Sequence, residues 1–160
     1  MQFPSLNARN LEGRAVEIPR ELSGDVNLVV LAFQRDHQYP VETWLPHFTR
    51  LEQAYPGLEV WEVPALPRNY RIWRGAIDGG MRAGIPDARL RRHTLTAYLD
   101  LRDLQRALEL PDLGDIHLYL LDAAGLVRWH GRGGFSQPTL EALNAALWEV
   151  AAPSRPTAAS

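Results

Sequence analysis

Residues 27–48 read NLVVLAFQRDHQYPVETWLPHF, and the fold turns on how this stretch divides. Leu28 to Phe33 is an unbroken apolar run, rich in β-branched residues and without alternation. A strand buried on both faces, in the middle of a sheet covered by helices, has that pattern. A polar loop follows from Gln34 to Pro40. The spacing of Val41, Trp44, Leu45, Phe48 and Leu51 then predicts a helix from about Val41. Pro40 stands at its start, where a missing N–H costs nothing. Pro46 falls inside this helix and is expected to kink it, because it lacks the N–H for one intrahelical bond.

The whole chain of 160 residues suits one domain with a sizeable core, and its 46% apolar and 22% charged residues are ordinary for a soluble globular protein. A net charge of −2 gives no field favouring nucleic acid or an acidic membrane. All 17 basic residues are arginine, scattered rather than grouped into anion clamps, which reads as coding bias. There is no cysteine, so disulfides, thiolate metal sites and Cys-based redox or nucleophilic chemistry are excluded. Neither a basic-then-apolar leader nor an apolar run near the ~20 residues of a membrane span is visible. The expectation is a soluble, cytoplasmic protein, not integral to a membrane.

Upstream of the central run, Asn10-Leu11-Glu12-Gly13 between short apolar stretches predicts an N-terminal β-hairpin. Pro19 to Leu22 reads as a helical turn. Downstream, Tyr55-Pro56-Gly57 stops the first helix. Leu58 to Val63 alternates as a strand that Pro64 is expected to close. Asn69 then caps a second helix, with Tyr70, Trp73, Ile77 and Met81 along one face, to about Ala83. His93 to Leu99 reads as a strand and Leu101 to Leu110 as a helix. Ile116 to Leu121 and Leu126 to His130 form a hairpin around Asp122-Ala123-Ala124-Gly125. Pro138 opens a last helix that buries Leu140, Leu143, Leu147 and Val150. Residues 1–151 are therefore expected to form one α/β domain, a central mixed sheet flanked by helices, and residues 152–160 a disordered tail.

Central strand, short loop and Pro-containing helix together resemble the active-site unit of thioredoxin-like proteins, and the opening FPSLNARNLEGRAVEIPRELSGDVNLVVLAF resembles the entry segment of peroxiredoxin-like relatives. IHLYLLDAAGLVRW, from Ile116 to Trp129, is similar to the strand–Asp–x–x–Gly–strand hairpin of the same superfamily. The resemblance implies a redox pair at the start of the helix. Counted back from Pro46, its two positions fall on Gln38 and Val41, with Pro40 keeping the intervening proline. The superfamily's cis-proline position falls on Ile116, after Asp115, where a non-proline cis bond would cost ~3 kcal/mol and a trans bond is expected. Both hallmarks are missing. VETWLPHF, MRAGIP and LYLLDAAGLVRW further resemble the mitochondrial assembly factors of the ATP synthase membrane sector, thioredoxin-like chaperones without a working Cys pair.

With the sulfur gone, the retained groove is the expected binding surface for a protein or peptide: Asp36, His37, Gln38, Tyr39 and Pro40 facing Asp115 and Ile116. Tyr39 is its expected exposed anchor, while Trp44 belongs to the core stripe. A rival reading makes the chain an enzyme or metal carrier that reuses Asp36, His37, Glu42 and His117, with His37 and His117 as nitrogen ligands. The ligand spacing of a dedicated metal motif is absent, and no cofactor is expected. Gly131-Arg132-Gly133-Gly134 lacks the Lys-Ser/Thr of a phosphate loop and reads as a left-handed connection. Arg71, Arg74 and Arg82 line the outer face of the second helix, either solvated or as a docking patch for an acidic partner or anionic lipid heads. Without aromatics on that face, nucleic acid is not an expected partner.

Overall fold

A computed structural model of the chain describes residues 1–68 and 93–151. The expected second helix, with Arg71, Arg74 and Arg82 on it, lies outside the described residues, as does the expected tail from Ala152.

Seven strands form one mixed sheet: β1 (Leu6–Asn10), β2 (Ala15–Ile18), β3 (Val26–Ala32), β4 (Leu58–Pro67), β5 (Leu95–Leu99), β6 (His117–Leu121) and β7 (Val127–Arg132). Their order across the sheet is β2-β1-β5-β4-β3-β6-β7. β3 pairs in parallel with β4 and antiparallel with β6, so it is central. The side chains of Leu28, Val29, Val30 and Leu31 are fully shielded, as the unbroken apolar run requires. Alternate residues point to opposite faces. Leu28 and Val30 meet α1 (Gln38–Ala54) and α3 (Gln137–Val150), while Val29 and Leu31 meet α2 (Leu101–Ala107) and the N-terminal segment. Burying each of these side chains contributes about 1.5–3 kcal/mol.

Both hairpins form where their turn residues lie. The Asn10 carboxamide accepts from the N–H groups of Glu12 and Arg14, each at 2.9 Å. Asp122 does the same for Ala124 and Leu126 at 2.9 and 3.0 Å. These side-chain caps are the local chemistry that makes Asn and Asp turn residues.

Several element ends differ from expectation; β7, for one, runs on through Gly131 to Arg132, leaving the connection to begin at Gly133. β4 runs through Pro64 to Pro67. Pro64 is the last partner of β3 and the ladder to β5 begins at Ala65, so the missing N–H falls where the strand changes neighbours. α1 begins at Gln38 rather than Val41. Pro40 is tolerated there because the first turn's N–H groups have no intrahelical acceptor. α2 stops at Ala107 because Glu109 takes a left-handed φ of 54°. Leu108 and Leu110 still point into the core.

Candidate functional site

The expected groove residues stand where the first turn of α1 meets the segment before β6 and the loop after β7. A set of contacts joins these three segments. The Trp44 indole Nε1 donates to the Gly133 carbonyl at 2.9 Å, tying α1 to the loop. The Phe135 N–H donates to Thr43 Oγ1 at 2.8 Å, and that hydroxyl donates to the Pro40 carbonyl at 2.6 Å. Gly134 lies flat on Pro40: a Cβ there would stand 3.1 Å from Thr43 Oγ1 and 3.4 Å from Pro40 Cβ. On the far side, the Gly133 N–H donates to the Ile116 carbonyl at 2.9 Å. Gly133 has φ of 86°, which glycine adopts without steric cost.

Among the expected groove residues, Gln38 is exposed, Pro40 is half-buried, and Tyr39 keeps 73% of its surface in solvent. Asp36 is exposed in a 3-10 turn (Arg35–His37) that leads into α1, and Asp115 is half-buried. Ile116 is fully shielded, and its N–H is taken by the carboxylate of Asp115 at 2.8 Å. The Asp115–Ile116 bond is trans, since Ile18–Pro19 is the cis bond among the described residues. The Arg132 guanidinium donates to Asp112 at 3.0 Å and stands 3.9 Å from Asp115. A Gly114 N–H bond, then Arg132, hold the Asp112 carboxyl below the usual carboxylate range.

His37, expected on the groove surface or as a nitrogen ligand, is instead buried, 4% exposed, with Nδ1 accepting the Phe33 N–H at 2.9 Å. His37 and His117 both approach the Phe33 ring edge-on at 6.2 Å, and both Nε2 atoms are buried without a hydrogen-bond partner. Glu42 is exposed and accepts from Gln38 at 3.0 Å. The structure thus leaves Asp36 and Glu42 on the surface and His37 and His117 beneath it. Among the described residues, no three His, Cys, Asp or Glu side chains gather as a metal centre.

The partner that His117 does have is one to which the sequence reading gave no role. Its Nδ1 lies 2.9 Å from Nε2 of His130, with the two rings 5.1 Å apart. His130 stacks in turn on Tyr119 at 4.4 Å and 4°. Burial first, then His130 and Arg132, pushes the His117 imidazole down to about 4. Burial lowers His130 as well and raises Tyr119 to about 12.

No protein-family model matches the chain, and no curated protein matches it. Solved structures do. A thioredoxin-like protein from Aeropyrum pernix superposes with a TM-score of 0.55 at 14% identity, over 91% of this chain and 89% of that one. The thioredoxin domain of a thiol-disulfide oxidoreductase from Bacteroides vulgatus gives 0.51 at 16%, over 94% and 96%. BsSco, described as a member of the Sco family of cytochrome c oxidase assembly proteins, gives 0.57 at 12%, over 91% and 92%. The chain has the thioredoxin-like fold, with its N-terminal hairpin and mixed sheet, and carries no cysteine. The resemblance to ATP synthase assembly factors gains nothing from these comparisons. No helix among the described residues is long and apolar enough to cross a membrane.

In that fold Gln38 occupies the first, exposed position of α1, and Val41 the buried position one turn on. Gln38→Cys/Val41→Cys is therefore expected to close an intramolecular disulfide under mild oxidation, because residues at i and i+3 of a helix start fall within the ~4.4–6.8 Å Cα range. Non-reducing mass spectrometry of the folded double variant checks it. Two persistent free thiols would show that the loop is misaligned with the redox site.

Proposed function

We propose that this chain is a redox-inactive thioredoxin-like protein that holds a protein or peptide in its groove, as an assembly factor or chaperone. The observation that carries the reading is Tyr39. It is the most exposed large hydrophobic side chain described, and it stands on a first turn braced by Trp44, Thr43 and Gly134. A rigid aromatic on a braced frame loses little entropy on binding and anchors interfaces well. Without a thiol, the groove can hold a chain but cannot exchange a disulfide with it. Ile116 has its N–H and carbonyl engaged internally, so an incoming chain would meet the side chains of Tyr39, Pro40 and Asp115 rather than Ile116 backbone. That BsSco, which has this fold, is described as a member of a family of assembly proteins supports the reading.

A photo-crosslinking residue in place of Tyr39, with one at Thr49 as a control farther along α1, identifies the occupant in native extract. Its affinity is then measured directly. Tyr39→Ala should weaken binding about tenfold and leave stability within ~0.5 kcal/mol, because an exposed side chain buries little. Unchanged affinity in Tyr39→Ala, together with lost binding in Arg71→Glu/Arg74→Glu, would move the site to Arg71 and Arg74.

A further inference from the structure

We propose that His117 and His130 form a proton-operated latch on the groove wall, closed when the pair holds at most one extra proton and open when it holds two. His117 opens β6 directly after Ile116, is fully shielded, and bonds His130 through Nδ1 and Nε2 at 2.9 Å. One nitrogen of such a bond must donate and the other accept. Two neutral rings satisfy this, and so does one imidazolium beside one neutral ring. With two imidazolium rings both nitrogens are donors, the bond is lost, and like charges face each other 5.1 Å apart.

The surroundings set the direction. Tyr119 stacks on His130 from the sheet, and Phe33 of the central strand's end closes over His117, with His37 on another edge of that ring. Arg132 opposes a proton on His117, while Asp112 and Asp115 favour it. Asp112 is itself bound to Arg132 and to the Gly114 N–H. His117 has no surface of its own, so the second proton enters through exposed His130. The wall next to the pair is the groove wall: Arg132 continues into Gly133, whose N–H holds Ile116 and whose carbonyl receives Trp44. Parting the two rings separates the end of β7 from the start of β6 and loosens that wall. Acid would thereby release whatever the groove holds. The latch deepens the groove reading but does not depend on an occupant being found.

Imidazole ¹⁵N shifts of the full chain, titrated from neutral to about pH 3, test it directly, with amide exchange protection followed at Gly133. Expected are two coupled steps shared by the rings, and a loss of Gly133 protection of about tenfold or more at the second step while β3 and β4 stay protected. His130→Gln keeps an N–H donor at similar reach that cannot take a proton, and it should hold Gly133 protected through the same range. His130 titrating as an isolated imidazole, without response at His117 or Gly133, would overturn the proposal. So would identical acid loss in wild type and His130→Gln. Should that variant fail to fold, the wild-type titration decides alone, coupled steps supporting the latch and independent ones sinking it.

Discussion

Trp44→Ala is expected to lower the unfolding free energy by about 3–5 kcal/mol, the range for deleting a buried large aromatic. The indole is completely shielded, stacks on Phe48 at 5.4 Å and 8°, and meets Phe135 edge-on at 5.5 Å. Removing it leaves a cavity between α1 and the sheet and strips the Gly133 carbonyl of its donor. Trp44→Phe separates these two losses. It refills most of the cavity and should cost about 1–2 kcal/mol, the scale of one buried hydrogen bond left unmade. Urea unfolding measures both. A cost below about 1 kcal/mol for the alanine variant would mean that the indole is not the strut between helix and loop.

The second large effect is on acid stability. In the folded chain the His117 imidazole is pushed down to about 4, whereas in the unfolded chain it takes its proton near 6.5. The unfolded state therefore binds more protons in between. The contribution of His117 is complete above the unfolded value and is lost as pH falls toward the folded one. A gap of this size is worth at most about 3 kcal/mol, trimmed to about 2 by solvent reaching the pair through His130. Glu62 works in the opposite sense, since burial and then Glu42 hold its carboxyl above the usual range. Comparison with His117→Asn leaves Glu62 in place and isolates the histidine pair. The stability difference between the two proteins should shift by about 2 kcal/mol against wild type from pH 7 to pH 4. A difference that stays constant across that range would show that His117 titrates alike folded and unfolded.

The central strand was legible because Leu28 to Leu31 can be satisfied only by cover on both faces. Turn chemistry at Asn10 and Asp122 located both hairpins for the same local reason. The His117–His130 pair was not legible, and the cause is a single residue. Leu121 pairs with Val127 but Leu120 pairs with Trp129, so Arg128 is the extra residue of a β-bulge. Without it the register would turn His130 to the α3 face, away from His117, because a one-residue slip reverses every side chain beyond it. Val127 and Trp129 record the reversal: two positions apart, they pack on opposite faces of the sheet. The burial of His37 was not legible either. A polar residue in a polar loop looks solvated unless one knows that the Phe33 N–H needs an acceptor at the end of its strand. Gly133 and Gly134 signalled a turn, but not that the turn would rest on Pro40.

The strut from Trp44 to Gly133 joins residues 89 positions apart, and the Phe135–Thr43 bond spans 92. At roughly 5–20 residues per second of synthesis, several seconds separate the emergence of α1 from that of the loop that completes the groove. During that interval Val41, Trp44, Phe48 and Leu51 lack the α3 half of their cover. A nascent or truncated chain would therefore display Tyr39 without the wall opposite it. On the proposed reading, binding competence would become a certificate of completed folding, issued only when the last third of the chain has docked on the first.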